Sequence, residues 1–223
     1  RNNRFWAAHN NLARIFHDSG QVERAIKKYK WILKQNSSYH EGRLNLAVTL
    51  KSVGNYEESL LEYQNLVSQK NTSISRFHLG LTLLSMGRYG EGWSNYEYRW
   101  KVSPLVNAVW PIKGMDIWNG EKDKDVVLWR EQGIGDDILF LGLTPEARDR
   151  SRRLSVYVDP RLVVLCKRSI KGVEFFPYES VIEDAKETHL PMGSLPSLFR
   201  QTEDDFKKTK KDWEVLFVYA KCN

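Results

Sequence analysis

Apolar positions in the first hundred residues recur with a helical rhythm rather than an extended one. Leu12, Ala13 and Phe16 share one helical face, and Gly20 falls where a helix ends on a left-handed residue. Ala25, Tyr29 and Ile32 then form the apolar stripe of a second helix. The set returns 34 residues later as Leu46, Ala47, Leu50, Gly54, Ser59 and Tyr63. A third copy, one residue short of a full period, gives Leu79, Gly80, Leu83, Gly87, Gly92 and Tyr96. The deficit lies between units, where a turn absorbs it. Small Ala13, Ala47 and Gly80 predict close helix approach, with Tyr29, Tyr63 and Tyr96 filling the space opposite.

Beyond residue 103 the pattern changes. Pro104, Pro111, Gly114 and Gly120 interrupt any helix, while Trp110 and Trp118 supply apolar anchors, so 108–124 reads as an ordered linker. Val126 to Trp129 is an apolar run without alternation, as expected of a parallel strand covered on both faces. A turn with two glycines and two acids, Gln132 to Asp137, then leads into the helical start Ile138 to Leu141. Leu154 to Val158 reads as a second strand, Pro160 to Arg168 as a helix and Val173 to Phe176 as a third strand. That order begins a doubly wound sheet. The expected class is α + α/β, with helical repeats over 1–107 (units near 6–39, 40–72 and 73–106) and a partial Rossmann-like parallel sheet over 125–223.

Charge and composition narrow the function classes. Residues 1–107 carry 15 Lys and Arg against 8 Asp and Glu, and residues 108–223 carry 19 against 20, so the halves hold +7 and −1. The basic residues are scattered along helices without a dense patch, so a solvated surface is expected and nucleic acid is not. No apolar run spans a bilayer and the N-terminus has no signal core, which predicts a soluble, cytoplasmic protein. Cys166 and Cys222 lack metal-ligand spacing and read as ordinary thiols. The sequons at Asn36 and Asn71 are chance matches without a secretory signal. A first residue of Arg1 rather than Met suggests a segment of something longer.

The period of 34 with its small and large apolar positions resembles the tetratricopeptide repeat, a helix-turn-helix unit. Trp93, Tyr98 and Trp100 after the third unit offer aromatic mass for docking onto a second domain. The resemblance implies a groove, lined by each unit's first helix, that holds a peptide or protein partner. Asn11 and Asn45 occupy equivalent positions there, with His78 in the third unit. This is similar to the asparagine ladder of the O-linked N-acetylglucosamine transferases, where amides grip an extended backbone. Hydrogen bonding of these amides within the array is the alternative.

The turn has two chemical readings of its own. No Walker A loop fits, and the dinucleotide fingerprint lacks a glycine at Ile138. An acidic pair at the turn also repels a pyrophosphate, which favours a neutral group such as a hydroxyl beside Asp136. The run Gly90 to Trp100, the Trp118, Asn119, Gly120 linker and the strand entering Glu131 to Asp136 together resemble a bacterial type of protein. In it, tetratricopeptide repeats precede a glycosyltransferase-like domain similar to the heptosyltransferases, which have two facing Rossmann-like domains. Val158 to Leu162, Gly172 to Pro177 and Leu190 to Phe199 agree with the same type.

The resemblance implies the N-terminal half of a GT-B-like fold, with Asp136 as the general base that accepts the acceptor hydroxyl's proton. Gly133 and Gly135 would allow close approach, with Gln132 and Asp137 beside the substrate and Glu131 on the wall. The competing role for Asp136 is a helix N-cap. His189 and Ser194 lie near the expected cleft as structural residues. No metal is implied, and the only co-substrate is a nucleotide-sugar donor in a complete enzyme. The donor half is expected to be missing, leaving the chain inactive by itself. Residues 203–223 fall outside the resemblance, with Val215 to Tyr219 either one more strand or a foreign tail. An interaction scaffold with a structural α/β part is the alternative function.

Overall fold

The computed structural model describes residues 3–102, 115–131, 133–180 and 188–207 of the chain. The chain forms two compact units, Arg1–Leu105 and Val106–Asn223. Trp110, Val215 to Tyr219 and Cys222 lie outside the described residues.

The first unit is three helical hairpins: α1 (Asn3–Asp18) with α2 (Val22–Gln35), α3 (His40–Ser52) with α4 (Tyr56–Gln69), and α5 (Ser73–Ser85) with α6 (Tyr89–Tyr96). Each helix packs on the next, forming a tetratricopeptide-like array. The turn glycines do what their positions predict: Gly20, Gly54 and Gly87 have φ of 77°, 79° and 74°, a region that penalises any side chain. Gly80 is required by packing, since a Cβ there would meet the Tyr96 backbone N at 2.6 Å.

The paired Leu and Ala positions serve different cores. Leu46 and Leu50 pack with Ala13, Ala25, Tyr29 and Ile32 of the preceding hairpin, whereas Ala47 packs with Leu60, Tyr63, Leu66, Leu79 and Leu83. Leu12, the equivalent of Leu46, is 39% exposed, because no earlier hairpin among the described residues receives it. Ser59 stands where the first unit has Ala25; its buried hydroxyl donates to the Ala47 carbonyl at 2.8 Å, which removes the penalty of burying it.

The second unit holds β1 (Lys124–Trp129), α7 (Ile134–Leu141), α8 (Thr144–Arg150), β2 (Ser151–Val158), α9 (Pro160–Ser169), β3 (Glu174–Pro177), β4 (Thr188–Pro191), α10 (Leu195–Phe199) and α11 (Glu203–Lys207). All strand pairs are parallel, in the order β3-β2-β1-β4. Val126, Leu128, Leu154, Val156, Val158 and Phe175 are buried in one core with Trp118. The linker's end lies along β4: the Trp118 N–H donates to the His189 carbonyl at 2.8 Å and the His189 N–H to the Asp116 carbonyl at 2.9 Å.

Three strands and α9 lie where the pattern predicts them, with β1 and β2 beginning earlier, at Lys124 and Ser151. The helices α8, α10 and α11 and the strand β4 are additions. The stretch Thr188 to Pro191 is short and ends in proline, so nothing local marks it as a strand; pairing with β1 creates it.

Candidate functional site

The chain builds β1, β2 and β3 outward in one direction and then returns to place β4 on the other side of β1. The β1/β4 boundary is therefore the reversal point of the sheet, where connections leaving the carboxyl ends diverge and open a crevice. Trp129 of β1 lies in register with Pro191 of β4. The crevice is bounded by Arg130, Glu131 and Gly133 to Asp136 after β1 and by the 3-10 turn Met192–Ser194 after β4. Glu131 spans it, its Oε1 accepting the Gly193 N–H at 2.8 Å. A Cβ on Gly193 would stand 2.7 Å from that oxygen, so a side chain there would push the Glu131 carboxylate off this hydrogen bond.

Gly133 and Gly135 present a different case. Gly133 has φ −84°, and neither glycine is left-handed. A Cβ on Gly135 would meet nothing within 4 Å, and one on Gly133 only Asp136 Oδ2 at 3.8 Å. Neither a left-handed backbone nor close packing calls for glycine; Gly133 stands at the N-cap of α7, a position glycine suits, and Gly135 in the first turn of that helix, and both leave the helix start bare. Asp136 sits beside it, half-exposed, at the third position of α7. Its Oδ2 accepts the Gly133 N–H at 3.1 Å. Asp136 is thus not the N-cap but the acid that reaches back to it, and the residue at the cap is Gly133. The other carboxylate oxygen has no partner among the described residues.

Asp137 is placed away from this surface, a correction to its expected position beside a substrate. It is 1% exposed; its Oδ2 accepts the Asp159 N–H at 3.0 Å and lies 3.2 Å from Arg130 Nε. One step along a helix turns a side chain by about 100°, which carries residue 137 beneath the sheet's end. Burial raises its pKa above the ordinary aspartate value, against the lowering effects of the Asp159 N–H and Arg130. Gln132 lies outside the described residues.

A charged cluster that the sequence pattern does not announce closes the ends of β1 and β2. Arg130 joins Asp137 and Asp159, the latter at 3.2 Å, and stacks 4.7 Å over the Tyr178 ring. Asp159 caps α9 through the Arg161 N–H and pairs with the Arg161 guanidinium at 2.8 Å. Arg161 first, then Arg130, hold its carboxyl well below the usual aspartate value. In a dinucleotide-binding fold an acid near this position meets a ribose; here it is committed to two arginines. The available signal was Asp159 before Pro160, a cap followed by a helix-starting proline.

His189 and Ser194 are both buried. His189 Nδ1 accepts the Trp129 indole N–H at 3.2 Å, and burial lowers its pKa. The Trp129–His189 hydrogen bond joins β1 to β4.

In the array, Asn11 is exposed and Asn45 half-buried. Asn45 Nδ2 donates to Asn10 Oδ1 at 3.0 Å, and Asn10 Nδ2 donates to Glu41 Oε1 at 2.9 Å. One amide of the expected ladder is thereby fixed by a neighbour, Asn10, that the periodicity does not single out. His78 lies flat on Tyr63, with ring centroids 5.9 Å apart and planes 3° apart. Burial and then the charge of Lys51 lower its pKa.

No protein-family description matches the chain. Protein FlbA of Caulobacter vibrioides is 25% identical over 186 residues, covering 79% of this chain and 31% of that protein, so the chain spans about a third of the relative. A tetratricopeptide repeat protein from Parabacteroides merdae is 19% identical, with TM-score 0.41, covering 46% of this chain and 40% of its own. A mutant O-GlcNAc transferase from Thermobaculum terrenum is 14% identical, with TM-score 0.42, covering 77% and 41%. At these scores neither structure carries weight for function. No groups of His, Cys, Asp and Glu suited to a metal occur among the described residues, and none of their helices is long and apolar enough to cross a membrane.

Proposed function

We propose that the chain is the acceptor-side half of a GT-B-like glycosyltransferase joined to peptide-binding repeats, with Asp136 as general base. One observation carries this reading: at the reversal point of a parallel sheet, a helix start kept bare by Gly133 and Gly135 adjoins a half-exposed carboxylate, one oxygen of which has no partner among the described residues. Gly133 and Gly135 form the surface for the sugar acceptor, and the sequence resemblance alone assigns Gln132 to it.

The chemistry balances simply. The acceptor hydroxyl gives its proton to Asp136 while its oxygen bonds to the anomeric carbon. The bond from that carbon to the donor phosphate breaks, and the nucleotide leaves with the electron pair. A second Rossmann-like domain facing the crevice would hold the donor. Asn11, Asn45 and His78 face the peptide or protein partner in the groove.

The test is made on the full-length gene product, with a panel of nucleotide sugars and product detection by mass spectrometry. Transfer abolished by Asp136→Asn supports the assignment; unchanged turnover in that variant removes Asp136 from the chemistry. The second reading, an interaction scaffold, draws support from the Gly133 to Asp136 hydrogen bond, which gives the carboxylate a folding role independent of catalysis.

A further inference from the structure

We propose that Glu131 is a positioning residue whose carboxylate latches the two lips of the crevice together and thereby sets where Asp136 stands against the acceptor. The inference rests on the reading of Asp136 as general base and adds the device that holds it in place.

The latch joins chain segments 62 residues apart. Strands β1 and β4 stay in register as far as Trp129 and Pro191, and beyond that pair both segments leave the sheet. Glu131 is two residues past Trp129, and Gly193 is two past Pro191. Across this gap Glu131 Oε1 accepts the Gly193 N–H at 2.8 Å. A hydrogen bond that an ionised carboxylate accepts from a backbone N–H is stronger than one between neutral groups. The fit is close on the β4 side, where the Glu131 carboxyl carbon would lie 3.1 Å from a Cβ on Gly193.

The lip that Glu131 holds is itself buried. Met192, Ser194 and Leu195 are at most 2% exposed, and Gly193 is buried among them. A buried N–H stripped of its acceptor is costly, so losing the Glu131 oxygen favours rearrangement of this turn. The same turn packs against α7. Ile134, at the start of that helix, sits on the core that contains Met192 and Leu195, and Asp136 is two residues further along. Packed interiors transmit displacement, so a shift of the turn reaches the first turn of α7 and its carboxylate.

The two acids thus divide the work. Asp136 must reach the acceptor proton to within about 3 Å, and a misplacement of about 1 Å costs on the order of a hundredfold in rate. Glu131 acts through that placement and not on the proton. What residue 131 has to supply is an oxygen acceptor for the Gly193 N–H. Gln offers one with the same reach, and Ala offers none.

The experiment has two arms, with every variant checked by circular dichroism. In this chain, hydrogen exchange at the Gly193 amide, read by NMR, should be at least tenfold faster in Glu131→Ala than in wild type, with the amides of β2 unchanged. Glu131→Gln should stay within threefold of wild type. In the full-length gene product, with the nucleotide sugar and acceptor that wild type turns over, kcat should fall at least tenfold in Glu131→Ala while the donor KM stays within twofold. Glu131→Gln should bring kcat back to within threefold. Gly193→Ala displaces the carboxylate from the other side and should lower kcat similarly, and the double variant should be no worse than either single one. Unchanged Gly193 exchange or unchanged kcat in Glu131→Ala, additive losses in the double variant, or a Glu131→Gln as inactive as Asp136→Asn overturns the latch and leaves Asp136 as base. Full transfer by Asp136→Asn, or none by wild type, removes the base and with it the task assigned to Glu131.

Discussion

The Gly133 N–H donates to Oδ2 of Asp136 at 3.1 Å, so the carboxylate proposed as base also holds the first turn of its own helix. The two roles separate by substitution. Asp136→Asn keeps an oxygen acceptor and should change stability by under about 0.5 kcal/mol, while Asp136→Ala should cost about 1 kcal/mol. Denaturant titration reads both, and equal losses for the two would remove the hydrogen bond as the cause.

Two glycines should respond in opposite directions. Gly135→Ala places a methyl in open space within α7 and should stabilise by about 0.5–1 kcal/mol, while weakening acceptor binding in the full-length protein. Gly80→Ala drives a methyl into the Tyr96 and Gly92 backbones and should cost about 1–3 kcal/mol. Thermal melts distinguish them; a destabilised Gly135→Ala would show that the turn needs glycine for folding.

The acids at the ends of β1 and β2 titrate in opposite senses. Asp159, held below its reference value of 3.8 by Arg161 and Arg130, contributes stability present above that pH and lost as pH falls. Asp137, raised by burial, contributes stability present below 3.8 and lost as pH rises through its folded value. Unfolding free energies across pH should therefore show a flattened acid limb for Asp159→Asn. For Asp137→Asn, the difference from wild type should shift in the variant's favour on going from pH 4 to neutrality.

Cys166 is buried, and its surroundings, with Asp137 adding a smaller repulsion, push the thiol up to about 12. In a Cys222→Ser background, alkylation of Cys166 at neutral pH should proceed only as fast as the domain opens. Its stabilising effect is complete below the reference value of 9.0 and fades between 9.0 and about 12. Rapid labelling under native conditions would contradict the burial.

The array was legible because each of its determinants is local and repeated. The left-handed glycines, the Leu and Ala pair and the tyrosines all act within a hairpin or between adjacent ones. In the second unit the apolar runs of β1 and β2 were visible, yet β4 exists only through a partner about 60 residues away. The bare turn was also readable, as glycines beside acids. Which acid faces outward was not fully so, because the answer depends on the Asp159 N–H and Arg130 that draw Asp137 inward. Asn10 escaped notice because its equivalents are Leu44 and Phe77, so no repeated polar position marks it.

Leu46 belongs to the hairpin before it and Ala47 to its own, so every seam in the array joins the same kinds of residue. Excising residues 40–72 would bring Leu79 and Leu83 against Ala13, Tyr29 and Ile32 in place of Leu46 and Leu50, leucine for leucine. The array is in this sense modular masonry, whose height can change by whole courses without recutting a stone.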